Sequence, residues 1–467
     1  MKMWSGRFRQ PLNPDFERWQ RSFPFDQRLL GEELAASKAH ARALAGIGVL
    51  SADELKKVED GLKTIAQQAA TRVDYLNDED AEDVHHFVEK HLVAHIGETG
   101  YKLHSGRSRN EQIATDLRLH VRTAIDRLHL LLTGLLEALV EKAERSGEAV
   151  MPAYTHLQKA EPVLVAHWLL AYAEMFSRDI GRLAECRVRL NLCPLGSGAL
   201  AGATLPLDRK AMAQELGFDG PTANSLDATS DRDFGIEFVQ ALALLAVHMS
   251  RFAEEMIIFS TQEFAFVQLP EAYSTGSSAM PQKKNPDAME LIRGKAARVI
   301  SAANSLLITV KGTPLAYNKD FQETQQPIFD AAEQSLEMVK TLSGFVKTVE
   351  LDYAEMQAAA ETGYMNALAA ASCLVKQGVP FRRAHEHIGN AVRMGLERGC
   401  ELQDLPLEEL KKLAPEFNEG FYDALQLRAV LDCHDVIGGT AVEQVKAALV
   451  LMKNRVSALK GGLHAYA

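Results

Sequence analysis

Apolar residues recur at three- and four-residue intervals along five long stretches of this chain. From Asn110 onward, Ile113, Leu117, Val121, Ile125, Leu128, Leu132, Leu135 and Leu139 form one stripe. A second stretch, after Pro162, carries Leu164, Trp168, Tyr172, Met175 and Ile180 toward Leu190. A third opens near Thr229 or Ser230 and carries Phe234, Phe238, Leu242, Leu245, Met249, Phe252 and Met256. A fourth follows Pro286 through Leu291, Val299 and Leu306 to Gly312-Thr313-Pro314, and a fifth runs from Asp320 to about Val349. This spacing predicts helices with one buried face, and the breaks between them fall on glycine and proline. Strand-like alternation is nearly absent. The stripes use Phe, Trp, Tyr and Ala rather than a strict heptad, so they predict a multi-helix bundle, not a coiled coil.

The expected fold class is therefore all-α. Shorter elements rich in histidine occupy 1–110, the long helices occupy 111–360, and short helices broken by Gly378, Pro380, Pro406 and Pro415 occupy 361–467. These three ranges are the predicted domains. With 467 residues the chain is long enough for two or three domains.

Hydrophobic residues make up 47% and charged residues 24%, as in a soluble globular protein. The formal net charge of −11 leaves no overall basic footprint for nucleic acid. The longest uninterrupted apolar run, Ala241 to Val247, is too short to span a membrane. No apolar leader follows Met1, and five scattered cysteines without a CxxC pair read as reduced thiols. The expectation is a cytoplasmic protein without nucleic-acid or membrane partners.

Chemistry gathers at four helix ends. Ser105-Gly106-Arg107-Ser108-Arg109-Asn110 precedes the first long helix. Ser108 or Asn110 could simply cap that helix, but two arginines at a helix N-terminus also suit a carboxylate. Tyr154-Thr155-His156-Leu157-Gln158 reads as a loop between the first two long helices. A lone loop histidine is most often a surface residue, yet histidine is also the side chain best suited to proton transfer near neutral pH. Gly276-Ser277-Ser278-Ala279-Met280-Pro281-Gln282-Lys283-Lys284-Asn285-Pro286-Asp287 packs hydroxyls, ammonium groups and an amide between glycine and proline, and continues to Glu290. Its bland reading is a solvated connector; its chemical reading is a segment presented to an anion. Tyr317-Asn318-Lys319-Asp320-Phe321-Gln322 lies before the fifth helix, where Asp320 could be a cap.

Taken together these four segments resemble argininosuccinate lyase, a member of the fumarase/aspartase superfamily. Further matches run from Trp4-Ser5-Gly6-Arg7-Phe8 to Gly438-Gly439-Thr440-Ala441, so the resemblance covers essentially the whole chain. It implies a three-domain lyase whose central helices assemble with partner subunits into a homotetramer, with active sites shared between subunits. The implied reaction is elimination of fumarate from argininosuccinate, leaving arginine, with no cofactor and no metal. By the same resemblance Ser277 is the base, Lys283 and Asn285 hold the carboxylate whose charge grows, and Thr155 lies beside the leaving group. His156, paired with Glu290, is the acid or its relay. An older assignment exchanges the roles of Ser277 and His156. Ser22, Arg109, Asn110, Gln158, Tyr317, Gln322 and Gln325 would position substrate, and His85 matches a family histidine near the site.

Two motifs look like something else and are set aside. His91 and His95 are spaced as helical metal ligands, but no glutamate follows His91 as in HExxH. Gly196-Ser197-Gly198-Ala199-Leu200-Ala201-Gly202 has the wrong spacing for a dinucleotide loop and follows a predicted helix. Two other readings stay open: a sibling lyase acting on another succinyl adduct, and an inactive homologue of the kind recruited as lens delta-crystallins.

One departure from the family pattern is chemical. Gln325 stands where the family usually has a lysine that contacts a substrate carboxylate. Gln325→Lys is expected to lower the Michaelis constant for argininosuccinate; an unchanged constant in steady-state assays would mean that position 325 no longer faces that carboxylate.

Overall fold

The computed structural model describes residues 10–461, so the matched segment Trp4–Phe8 lies outside the described residues. The chain is mostly helical. The five predicted helices are present as Arg109–Arg145, Val165–Leu190, Asp233–Phe259, Asp287–Val310 and Gln325–Thr348. Among the described residues no helix is long and apolar enough to cross a membrane.

The apolar stripes are the buried faces. Ile113, Leu117, Val121, Ile125, Leu128, Leu132, Leu135 and Leu139 are all buried, as are the seven stripe residues from Phe234 to Met256. The fourth stripe differs from expectation. Leu291 is 58% exposed, and the buried face runs instead through Met289, Ile292, Ala296, Val299, Ala303 and Leu306. Leu291 sits between core positions Met289 and Ile292, where hydrophobicity alone does not separate the two faces.

Two compact units make up the chain. One gathers the segments up to Arg127, Arg182–Leu244 and Arg298–Ser335; the other gathers Leu128–Gly181, Leu245–Ala297 and the segment from Leu336 on. In the first, the Leu30–Gly46 helix contributes buried Ala36 and Ala39 to a cluster with Leu119, Leu195, Met212 and Phe218. In the second, Ala370, Leu374, Ile388, Leu402, Phe417 and Phe421 close a separate small core.

Strand structure is slight but placed where it matters. Val150–Thr155 pairs antiparallel with Gln158–Leu164, so the segment around His156 is a hairpin tip and not a plain loop. Pro152 faces Pro162 across this ribbon, and a bulge separates Ala153 from Tyr154. Proline in both strands hides the pattern from a reading of alternation, yet a two-stranded ribbon has only edges, where proline is tolerated. A second small hairpin pairs Thr275–Gly276 with Lys284–Asn285.

The Gly438-Gly439-Thr440-Ala441 segment anchors the first hairpin. Gly438 has φ +83°, and a Cβ on Gly439 would lie 2.1 Å from the His434 carbonyl oxygen. That close turn brings Thr440 Oγ1 to accept a hydrogen bond from the Leu164 amide at 2.9 Å. Gly439→Ala is expected to cost about 2 kcal/mol or more in urea unfolding, because backbone must move to admit the methyl group. Gly46→Ala, where nothing lies within 4 Å of the added carbon, serves as the control and is expected to be near neutral.

Candidate active site

In the second unit the candidate residues Thr155, His156, Gln158, Ser277, Lys283 and Asn285 sit on the two hairpins, and Glu290 on the helix that follows the second. Thr155 ends one strand, Gln158 begins the next, and His156 and Leu157 form the two-residue turn with φ of +56° and +58°. A two-residue hairpin turn of the I′ kind needs positive φ at both positions, normally met by Asn and Gly. Using histidine and leucine there costs on the order of 1 kcal/mol per residue and holds both side chains at an exposed tip.

The 276–287 segment is ordered by its own polar groups. Ser277 Oγ accepts from the amides of Ala279 at 3.3 Å and Met280 at 3.1 Å. Lys283 Nζ donates to Asn285 Oδ1, and Lys284 Nζ donates to the Leu269 carbonyl at 2.9 Å. Asp287 Oδ2 accepts from the Thr275 amide at 2.8 Å, which joins the hairpin base to the start of the Asp287–Val310 helix. Glu290 is exposed in the first turn of that helix. Ser277, Lys283 and Asn285 are therefore brought onto one short hairpin. Among the described residues His156 and Glu290 make no hydrogen bond to each other.

In the first unit the candidate residues surround the start of the Arg109–Arg145 helix. Ser108 caps it, not Asn110. Its hydroxyl accepts from the Asn110 amide at 3.3 Å, while Glu111 Oε1 accepts from the Ser108 amide at 3.0 Å. The Asn110 side chain donates to the Ala199 carbonyl at 3.1 Å. The glycine-rich segment 196–202 thus packs on this helix end, with the Gly198 amide donating to Glu111 Oε2 at 2.9 Å. A Cβ at Gly198 would lie 2.7 Å from the Gly202 oxygen, which is why glycine is needed there.

Arg109 Nη1 meets Asp83 Oδ2 at 2.8 Å and Glu82 Oε2 at 3.3 Å. Asp83 also caps the Val84–Ile96 helix through the His86 amide, so it places His85 in the first turn of that helix. The Ser22 amide donates to the Glu82 carbonyl at 2.9 Å, and Gln322 Nε2 donates to the Gln20 carbonyl at 3.1 Å. Ser22, His85, Arg109 and Gln322 are thereby tied into one neighbourhood. The Tyr317 ring is tilted beside Phe321, centroids 6.0 Å apart, and burial raises its phenol pKa. Asp320 provides no side-chain cap for the Lys319–Thr324 turn, where Asn318 holds the capping position. Gln325 begins the Gln325–Thr348 helix, 3% exposed, with Oε1 buried and without a partner among the described residues. Of the two histidines set aside above, His91 is engaged elsewhere: its Nδ1 meets the Tyr75 hydroxyl at 3.0 Å.

Several charged residues here are silent in the sequence pattern. Asp26 is buried, accepts from the Val84 amide at 3.0 Å, and has its carboxyl raised to about 7 by burial and then by Asp83. Glu33 and Asp116 are buried carboxylates near His85. The one available signal was their position: acids on helix faces otherwise lined by apolar residues. Asp26 carries a pH prediction. Its folded pKa lies above the ordinary value, so it stabilises the fold at low pH and that contribution is lost as pH rises toward 7. Asp26→Asn is expected to flatten the fall in unfolding free energy between pH 4 and 8, by about 1–4 kcal/mol at the upper end; equal slopes for the two proteins in urea titrations would contradict it.

A family model described as "Lyase" matches residues 6–301, and one described as "Argininosuccinate lyase C-terminal" matches residues 364–432. The chain is 60% identical to the argininosuccinate lyase of Koribacter versatilis over 459 residues, 98% of each chain. It is 57% identical to that of Acidobacterium capsulatum, covering 98% of this chain and 96% of the relative. Among solved structures, EDDS lyase in complex with formate superimposes with a TM-score of 0.84 at 25% identity, covering 98% of this chain and 93% of that one. The chain belongs to the argininosuccinate lyase family of the fumarase/aspartase superfamily.

Proposed function

We propose that this protein eliminates fumarate from argininosuccinate to leave L-arginine, the last step of arginine biosynthesis. The observation that carries the reading is the 276–287 hairpin, with Ser277, Lys283 and Asn285 together on one short ribbon of a chain so similar to argininosuccinate lyases. Elimination requires a proton to leave the carbon beside a carboxylate, and the resulting carbanion adds charge to an existing anion. A base, donors for the growing charge and an acid for the guanidinium must all be supplied.

Ser277 is assigned as the base. A free hydroxyl is a poor one, but the Ala279 and Met280 amides point at its oxygen and favour negative charge there. Lys283 and Asn285 receive the carboxylate as its charge develops; donors of this kind are worth roughly 2.7–4 kcal/mol each. His156, on its strained turn, serves as acid or relay with Glu290, and Thr155 flanks the leaving group. Ser22, His85, Arg109, Asn110, Gln158, Tyr317, Gln322 and Gln325 are assigned to substrate positioning. The reaction as drawn needs no metal or cofactor.

A homotetramer with sites shared between subunits fits the exposed apolar residues Leu130, Leu291, Leu307 and Ile308, which would be covered by partner chains. Shared sites would also let His156 of one subunit meet Glu290 of another. The divisions at 110 and 360, and a cytoplasmic location, belong to the same proposal. The sibling-lyase reading rests on Gln325 alone.

An absorbance assay for fumarate separates the readings: signal with argininosuccinate supports the proposal, and signal only with another succinyl adduct refutes it. Ser277→Ala is expected to fold normally, by circular dichroism, and to lose at least about 10²-fold in kcat, the lower end of what a general base contributes. Turnover near wild type would show that Ser277 is not the base.

A further inference from the structure

Behind the arginine-bearing helix start lies a buried cluster of charges, of which the assignments above use only His85. Glu33, on the Leu30–Gly46 helix, is 0% exposed. Its carboxylate meets His85 Nδ1 at 2.7 Å and accepts from Ser37 Oγ at 2.6 Å and from Gln112 Nε2 at 3.0 and 3.1 Å. Arg107 Nη1 lies 3.9 Å from the same carboxylate and donates to Ser37 Oγ at 2.8 Å. Asp116 completes the group, 3.8 Å from His85 Nδ1 and without a donor of its own.

We propose that Glu33 is a positioning residue for the reaction: it fixes the orientation and the positive charge of His85, and with Ser37 it seats Arg107, so that His85 offers a cationic N–H donor to a substrate carboxylate. This rests on the reading above that His85 lies toward substrate. With Nδ1 committed to Glu33, the ring can turn only Nε2 outward, and among the described residues nothing else hydrogen-bonds that nitrogen.

The charges set the protonation. Two carboxyls and an imidazole, with atoms within 4.8 Å of one another, could in principle hold a divalent cation. Here Arg107 and His85 already supply positive charge. Burial and then the Glu33 charge push the Asp116 carboxyl well above its ordinary value, which disfavours a second negative charge beside Glu33. Burial alone would raise Glu33 as well, but His85, Arg107 and the Ser37 hydroxyl hold it below that range. His85 is pulled down by burial and pushed up more strongly by Glu33, then Asp83 and Asp26, for a net rise. His104 is the opposing cation candidate; burial and then Arg107 lower it to about 4, so it is neutral. The Glu33 carboxylate, 2.7 Å from His85 Nδ1, thus favours the protonated ring. That cation is a counterpart for substrate in a site where position 325 carries no lysine.

Glu33→Gln keeps the shape and removes the charge. In the variant His85 loses its proton as pH rises through the neutral range, so KM for argininosuccinate should climb about tenfold between pH 6 and pH 8 with kcat little changed, while wild-type KM stays flat. Glu33→Asp, which restores the charge, should restore most of the flat profile. In parallel, ¹³C-labelled histidine NMR on the substrate-free protein should place the wild-type His85 midpoint above 6.5 and the Glu33→Gln midpoint lower. A wild-type midpoint at or below 6.5, or equal midpoints in the two proteins, overturns the proposal even if the variant folds poorly. Broadening of the His85 signal by added Co²⁺ at stoichiometric concentration would overturn it in favour of a cation site. Absence of any turnover with argininosuccinate would defeat the functional reading instead, and leave the His85 titration to decide on Glu33.

Discussion

The ion pair between Glu33 and His85, buried among Ser37, Arg107, Gln112 and Asp116, is the interaction on which the polar side of the first unit depends. Burying ionised groups is costly unless each is paired and hydrogen-bonded. This cluster meets that condition by giving the Glu33 carboxylate four polar partners, while burial and the Glu33 charge push the Asp116 carboxyl well above its ordinary value. Its members come from three helices and the segment before one of them, so satisfying the charges also fixes where those elements lie. The Ser105 carbonyl is held in the same way by His40 at 3.0 Å, an imidazole that burial and then Arg107 keep neutral, at about 3. Arg109 and Asn110 then follow from the helix start that this arrangement sets.

The second unit solves a different problem. Its catalytic candidates stand on exposed hairpins, where no core can hold them. Order there comes from local geometry: a strained turn at His156 and Leu157, hydroxyl-to-amide contacts at Ser277, and the link from Asp287 to Thr275. Thr440 and its paired glycines then tie the base of one hairpin to the body of the unit. Turns held by such short contacts can deform at modest cost, unlike groups fixed in a packed core.

The five long helices were legible in the sequence because burial on one face of a helix leaves a periodic record, and because Gly and Pro interrupt it. The four polar segments were legible because hydroxyls, cations and amides concentrated at helix ends stand out against that period. Where the period is ambiguous it misleads: Leu291 belongs to the exposed side of its helix, its neighbours Met289 and Ile292 to the core. The His156 segment has the pattern of a loop because prolines facing each other across a ribbon erase alternation, and a His-Leu turn lacks the usual Asn-Gly signal.

The amino-acid order by itself determined the helical class, the family and the identity of the residues at the helix ends, since these depend on local spacing and residue type. Only the tertiary structure decided that Ser108 and not Asn110 caps the Arg109–Arg145 helix, that Asp83 and Glu82 claim Arg109, and that Glu33 and Asp116 stand beside His85. Those outcomes turn on contacts between residues far apart in the chain, such as Glu33 and Gln112, and on their burial. A carboxylate's charge and partner are set by that environment, which no local pattern records.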